Sequence, residues 1–267
     1  MRKALIITGI YVVCQFAATA LLLPICFFRQ FADGTFNSAD VNEPHFLTFC
    51  LLVSAVASAW LTLWVCREGY RKVWRWNMPM SDGIQAIWWG VLGMLPLSFL
   101  TSSVVEVLDL PDLLGTTFQG MVDSLEAAIV LVIVGPVCEE VCFRYGVAGQ
   151  LLQSETFASC SPRLRAWIAI GGSAAIFGII HLNPAQSLSA FLIGLYLGWL
   201  YLKTGSLWTS IACHICNNAL AVAMLASLGP SFMMQSLFPD TLTFVGAMLL
   251  SAVLLALIIW RITRLKT

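Results

Sequence analysis

Two neighbouring glutamates, Glu139 and Glu140, are followed by Arg144 inside a stretch that otherwise reads as a membrane-buried helix. That stretch is Leu-Val-Ile-Val-Gly-Pro-Val-Cys-Glu-Glu-Val-Cys-Phe-Arg, residues 131–144. Each ionisable side chain at bilayer depth costs roughly 2.5–3.5 kcal/mol on insertion scales, so three in one segment point to a use. Phe177 and His181, then His214, Asn217 and Asn218, form two further polar clusters in later apolar segments. Carboxylates and imidazoles can move protons, and imidazole and amide N–H groups can hold a developing oxyanion. Together they have the makeup of an active site inside a bilayer.

Spacing divides the roles. Helical residues four apart share a face, whereas neighbours are turned about 100° from one another. Glu140 is therefore stacked on Arg144, and pairing lowers the cost of burying both. Glu139 faces elsewhere without that partner. Two carboxylates in unlike environments can separate support from proton transfer, which makes Glu139 the expected base and Glu140–Arg144 its brace. Gly135-Pro136, one turn earlier, can kink the helix and free backbone groups near the site. His214 and Asn218 also lie four apart and project together, with Asn217 near enough to that face to take either role. His181 follows Phe177 by the same interval, which sets an aromatic ring beside the imidazole. The third histidine, His45, falls in an external loop. A single buried His or Asn also serves as an interhelical hydrogen-bond partner, and a Glu–Arg pair alone can be structural. Three such clusters in one bundle favour a functional site.

The elements that must position these groups are membrane helices. Of the 267 residues 59% are hydrophobic and 10% charged, with mean hydropathy +0.86. Soluble domains carry about 25% charged residues, so this is an integral membrane protein. The expected fold is all-α, a polytopic bundle of about eight spans near 4–28, 46–66, 84–105, 124–149, 166–182, 187–202, 206–227 and 241–260. The fifth and sixth are short and separated by a tight turn at Asn183-Pro184, so this pair is expected as a hairpin that does not cross fully. With a cytoplasmic N-terminus, every basic residue except Arg29 and the intrahelical Arg144 falls on the cytoplasmic side, including Arg71 and Lys72. The segment from Glu106 to Glu126 holds acidic residues and no Lys or Arg. Both termini are therefore expected in the cytoplasm. Residues 67–79 mix basic and aromatic side chains and are expected along the cytoplasmic interface.

Three regions follow: N-terminal helices and the interfacial segment over 1–123, a catalytic helical core over 124–228, and a C-terminal helix in 229–267. The N-terminal apolar run is long enough to be a retained spanning helix rather than a cleaved leader. The nine cysteines lie mostly in apolar segments and read as small buried side chains. The 14 basic and 14 acidic residues provide no field for nucleic acid. No cofactor box stands out.

Glu139-Glu140-Val-Cys-Phe-Arg144, Phe177-Gly-Ile-Ile-His181 and His214-Ile-Cys-Asn217-Asn218 resemble the motifs EExxxR, FxxxH and HxxxN. These belong to the CAAX prenyl protease and bacteriocin-processing family of glutamic intramembrane endopeptidases, also called the abortive-infection family. The resemblance covers about residues 124–228, and no motif position is missing. It implies a metal-independent endopeptidase in the cell membrane, acting on a membrane-associated peptide or protein, lipidated or not. Carried onto this chain, Glu139 with His181 would activate a water. His214 and Asn218 would donate to the oxyanion, and Glu140 and Arg144 would hold the arrangement.

Two other readings use the same residues. Carboxylate and imidazole suit zinc, and Cys213 and Cys216 flank His214, although zinc sites of that type need a second cysteine pair. A non-catalytic immunity or transport protein could also bury such groups. Transporters often show related halves or helices broken in matching positions, and this chain shows neither.

Overall fold

The computed structural model describes residues 1–33, 44–67 and 74–266. It consists of helices α1 (Arg2–Asp33), α2 (Pro44–Val65), α3 (Met80–Val107), the short α4 (Gly115–Met121), α5 (Leu125–Leu152), α6 (Pro162–Ile179), α7 (Pro184–Thr204), α8 (Leu207–Leu228) and α9 (Thr241–Thr263). Among the described residues there is no strand. The expected all-α bundle is the observed class. Six helices are long and apolar enough to cross a bilayer, and up to seven if α4 and α5, bent by 115° at their junction, form one span. Each of the eight segments expected to span is helical here. The segment expected at 166–182 is α6, which has 18 residues and carries Arg163 and Arg165 in its first turn. Residues 68–73 of the 67–79 segment, with Arg71 and Lys72, lie outside the described residues.

Local chemistry explains where the helices begin and end. Ser161 accepts the Leu164 amide at the start of α6, with Pro162 as first helical residue, and Ser124 accepts the Ala127 amide at the start of α5. Such caps satisfy amides that the first helical turn leaves without partners. Helix α7 ends at Gly205, whose φ of +69° suits a residue without a Cβ. Asp240 caps α9 through the Thr243 amide at 2.8 Å.

Polarity is inverted relative to a water-soluble bundle. Leu242, Leu249, Leu250 and Leu257 of α9 are exposed, whereas Thr48, Ser54, Ser58 and Thr62 of α2 are buried. Small hydroxyl residues on an inward face let helices approach and bond where lipid provides no partner. One core joins α1, α2, α5, α6 and α8 with Ala190 of α7; a second joins α3, α7, α8 and α9. Helix α5 sits inside the first, and α8 belongs to both.

The α6–α7 hairpin is held tightly. A Cβ on Gly178 would come within 2.6 Å of the Ser187 carbonyl oxygen, so only glycine permits this approach. Gly178→Ala is expected to lower stability by about 1–3 kcal/mol, read as a lower Tm in detergent micelles. An unchanged Tm would mean that the two helices can separate freely. At the turn, buried Asn183 accepts the Leu113 amide at 3.0 Å and donates to Asp112 at 2.7 Å. The α3–α4 connection is thereby tied to the turn that follows the Phe177–His181 segment.

Candidate active site

Helix α5 is not a regular α-helix where it carries the glutamates. The α-helical Gly135–Glu140 is flanked by π-helical turns, Val130–Val134 before it and Val141–Ala148 after it. Such widened turns occur mostly as local insertions, frequently at functional sites. Pro136 accounts for part of the pattern. In the first widened turn the Gly135 amide donates to the Val130 carbonyl, five residues back. The next residue in that register would serve Leu131, but it is Pro136, which has no N–H. The Leu131 carbonyl accepts instead from Asn218 Nδ2 of α8 at 2.9 Å. The freed backbone group that Gly135-Pro136 led us to expect is thus found, and a motif residue satisfies it. Asn218→Ala is expected to cost about 1–3 kcal/mol, because it leaves a carbonyl inside the membrane without a donor. Thermal denaturation of the purified variant checks this, and a native Tm would sink it.

The ionisable groups converge on His214. Glu140 and Arg144 form an ion pair, Nε to Oε2, of 3.2 Å, with side chains 0% and 1% exposed. His214 Nδ1 lies 2.9 Å from the other Glu140 oxygen, Oε1. A carboxylate oxygen accepts, so Nδ1 carries the hydrogen, and Nε2 is turned toward Glu139 Oε2 at 3.6 Å. Glu139 differs from its neighbour in keeping 19% of its side chain exposed. The two carboxylates therefore have unlike surroundings: Glu140 is enclosed between a guanidinium and an imidazole, and Glu139 opens outward.

Phe177 lies at the centre of the cluster. Its ring packs edge-on with His181 at 4.9 Å and with His214 at 5.8 Å between centroids. The Arg144 guanidinium carbon stands 4.6 Å from the same ring centre. The electron-rich ring face thus stabilises a cation buried away from water. The spacing foresaw Phe177 beside His181; its contacts with Arg144 and His214 join separate helices. His181 is not inside a helix. Helix α6 ends at Ile179, and His181 Nδ1 donates to the Phe177 carbonyl at 2.7 Å in the turn beyond. The carbonyl can only accept, so Nδ1 carries the hydrogen of this bond and Nε2 takes no part in it. Asn217 accepts from Ser98 of α3 at 2.9 Å and donates to Asn218 Oδ1 at 3.2 Å, which orients the Asn218 amide.

Sequence reasoning missed Tyr11. Its hydroxyl donates to Glu139 Oε1 at 3.2 Å from α1, 128 residues away. The available signal was faint: Tyr11 and Gln15 are polar residues four apart in an otherwise apolar helix. Ser98 was also missed, since a serine within an apolar helix carries no sign of its partner. Among the described residues, no group of three or more His, Cys, Asp or Glu is arranged to hold a metal ion. Cys213 is buried against α3, where a Cβ on Gly90 would meet its sulfur at 2.8 Å.

The family described as "Type II CAAX prenyl endopeptidase Rce1-like" matches residues 122–220. A Bacillus subtilis (strain 168) protein named "Putative membrane peptidase YdiL" is 26% identical over 221 residues, covering 80% of this chain and 85% of that protein. These likenesses support the CAAX prenyl protease and bacteriocin-processing family that the motifs resemble. No solved structure matches the chain. Six helices long and apolar enough to cross a bilayer make the chain an integral membrane protein, and the two likenesses support a membrane protease. The matched region runs from the start of α5 into α8 and contains all seven motif residues, from Glu139 to Asn218. Tyr11 and Ser98 lie outside it.

Proposed function

We propose that this protease is a glutamic endopeptidase that hydrolyses a peptide bond in a membrane-associated peptide or protein without a metal. The observation that carries the reading is the unequal treatment of the two glutamates. Glu140 is fully enclosed and neutralised, whereas its neighbour Glu139 keeps an accessible edge beside an imidazole. In this reading Glu139 takes a proton from a water, His181 assists through its free Nε2, and the oxygen attacks the scissile carbonyl. His214 and Asn218 stabilise the oxyanion that develops. To donate from Nε2 while Nδ1–H serves Glu140, His214 must be the imidazolium. Its charge and that of Arg144 then balance the two carboxylates, which suits a site buried in a membrane. Asn218 donates one amide hydrogen to Leu131 and keeps the second for the substrate. The resting bonds to Leu131 and Asn217 hold it in place for that role.

The test is cleavage of dye-quenched peptides, some farnesylated at a C-terminal cysteine and some unlipidated, by the protein purified in micelles. The expected result is cleavage that EDTA does not reduce and that Glu139→Ala abolishes. Loss of activity with EDTA, restored by zinc, would replace this mechanism with a metal-dependent one. A failure to cleave any peptide, by a native protein that still produces its biological effect as Glu139→Ala, would favour a non-catalytic binding role.

A further inference from the structure

Helix α1 lies outside the matched region, yet it packs against the widened turn of α5 that follows the glutamates. Its inward face is Ala4, Ile7, Tyr11 and Ala18, all buried, and Tyr11 is the residue of that face that reaches the site. The Tyr11 ring packs edge-on with Phe143 at 4.8 Å, and Phe143 lies 5.1 Å from Phe177. The phenol is thus clamped in the aromatic row that also carries His181 and His214. Buried phenols retain a hydrogen-bond partner, because an unsatisfied hydroxyl in an apolar setting is costly. The Tyr11 hydroxyl has Glu139 Oε1 as its acceptor.

Resting on the assignment of Glu139 as base, we infer that Tyr11 is a positioning residue for the reaction: its phenol holds Glu139 Oε1, so that Oε2 faces His214 and the attacking water. The geometry divides the work of one carboxylate between two oxygens. Oε1 is anchored from α1, and Oε2 stands 3.6 Å from His214 Nε2 of α8. A carboxylate anchored at one oxygen cannot turn freely about its last bond, so the base stays aimed at one place. Near-attack geometry is worth much of an enzymatic rate, and a base that swings loses it. The other groups facing Glu139 provide no such anchor. Arg144 and Glu140 engage one another, and Cys142 bonds to Ser58 and Thr62 of α2. Further out, Ser54 of α2 donates to Gln15 at 3.0 Å, one turn after Tyr11, which fixes α1 against α2. The N-terminal helices thereby become part of the catalytic apparatus rather than a membrane anchor for it.

Tyr11→Phe removes the hydroxyl and keeps the ring. With the best-cleaved peptide of the panel, kcat is expected to fall about 10- to 100-fold, with KM within about twofold of native, as for loss of a charge-assisted bond. The Tm should stay near native, because the ring still packs on Phe143. A control at another buried phenol, Tyr196→Phe, removes a bond to the Gly90 carbonyl and should leave kcat unchanged. A measurement independent of any substrate is labelling of Glu139 by a hydrophobic carbodiimide, which attacks protonated carboxyls. Labelling should be several-fold faster in Tyr11→Phe, where the anion has lost its donor. Native kcat and native labelling in Tyr11→Phe, with Glu139→Gln inactive, would overturn the role of Tyr11 alone. An active Glu139→Gln would overturn the assignment of the base beneath it. A fall in Tm with kcat and KM both altered would mark Tyr11 as packing only.

Discussion

Replacing Glu139 with Gln is expected to lower kcat by about 10³-fold or more while leaving the fold intact. The substitution keeps the shape and keeps an oxygen that can accept the Tyr11 hydrogen. It removes the group that can take a proton from water. Stability should change little, since Glu139 is partly exposed and is not the carboxylate that compensates Arg144. The measurement is steady-state cleavage of the best peptide alongside a thermal melt in the same micelles. An inactive variant with a native melt places Glu139 in the chemistry. An inactive variant that has also lost several degrees of Tm would show that Glu139 supports the fold, and the division between the two glutamates would fail.

Arg144→Ala should behave in the opposite way. Glu140 would be left fully buried between helices, with only the neutral hydroxyl of Ser210 and the His214 ring beside it. Breaking a buried ion pair by removing one member typically costs about 3–5 kcal/mol, because the other charge remains without compensation. Phe177 would also lose the cation on its ring face. The expected outcome is a fall in Tm on the order of 10 °C and a loss of activity that follows the loss of structure. The double variant Glu140→Gln, Arg144→Met separates the causes. It leaves no unpaired charge and still offers an amide oxygen to His214 Nδ1. It should regain most of the stability lost in Arg144→Ala. A double variant no more stable than Arg144→Ala would show that the guanidinium stabilises through something other than Glu140.

Much of the arrangement follows from periodicity along single helices. The rule that positions four apart share a face pairs Glu140 with Arg144 and sets Phe177 beside His181, because both pairs are local in the chain. Hydropathy located the long spanning helices for a related reason: a bilayer imposes one length and one polarity on every span. At α6 the same rule is weakest, because Arg163 and Arg165 precede the apolar stretch within one short helix. It also could not see the widened turns around Gly135–Glu140. Those depend on where Pro136 withholds an amide and on whether another helix provides a replacement donor.

The residue types and their spacing were sufficient to establish a membrane bundle, three polar clusters and the family that they resemble. They were also sufficient to separate a braced glutamate from an unbraced one. Contacts between segments distant in the chain came from packing alone. His214 meets Glu140 across 74 residues, Asn218 meets Leu131 across 87, and Tyr11 meets Glu139 across 128. A helix's sequence states which side chains share its face, but not which helix that face will meet. That choice depends on how small residues such as Gly178 and the hydroxyls of α2 let backbones approach. It is through this packing that α1, without a recognisable motif, brings a phenol to Glu139.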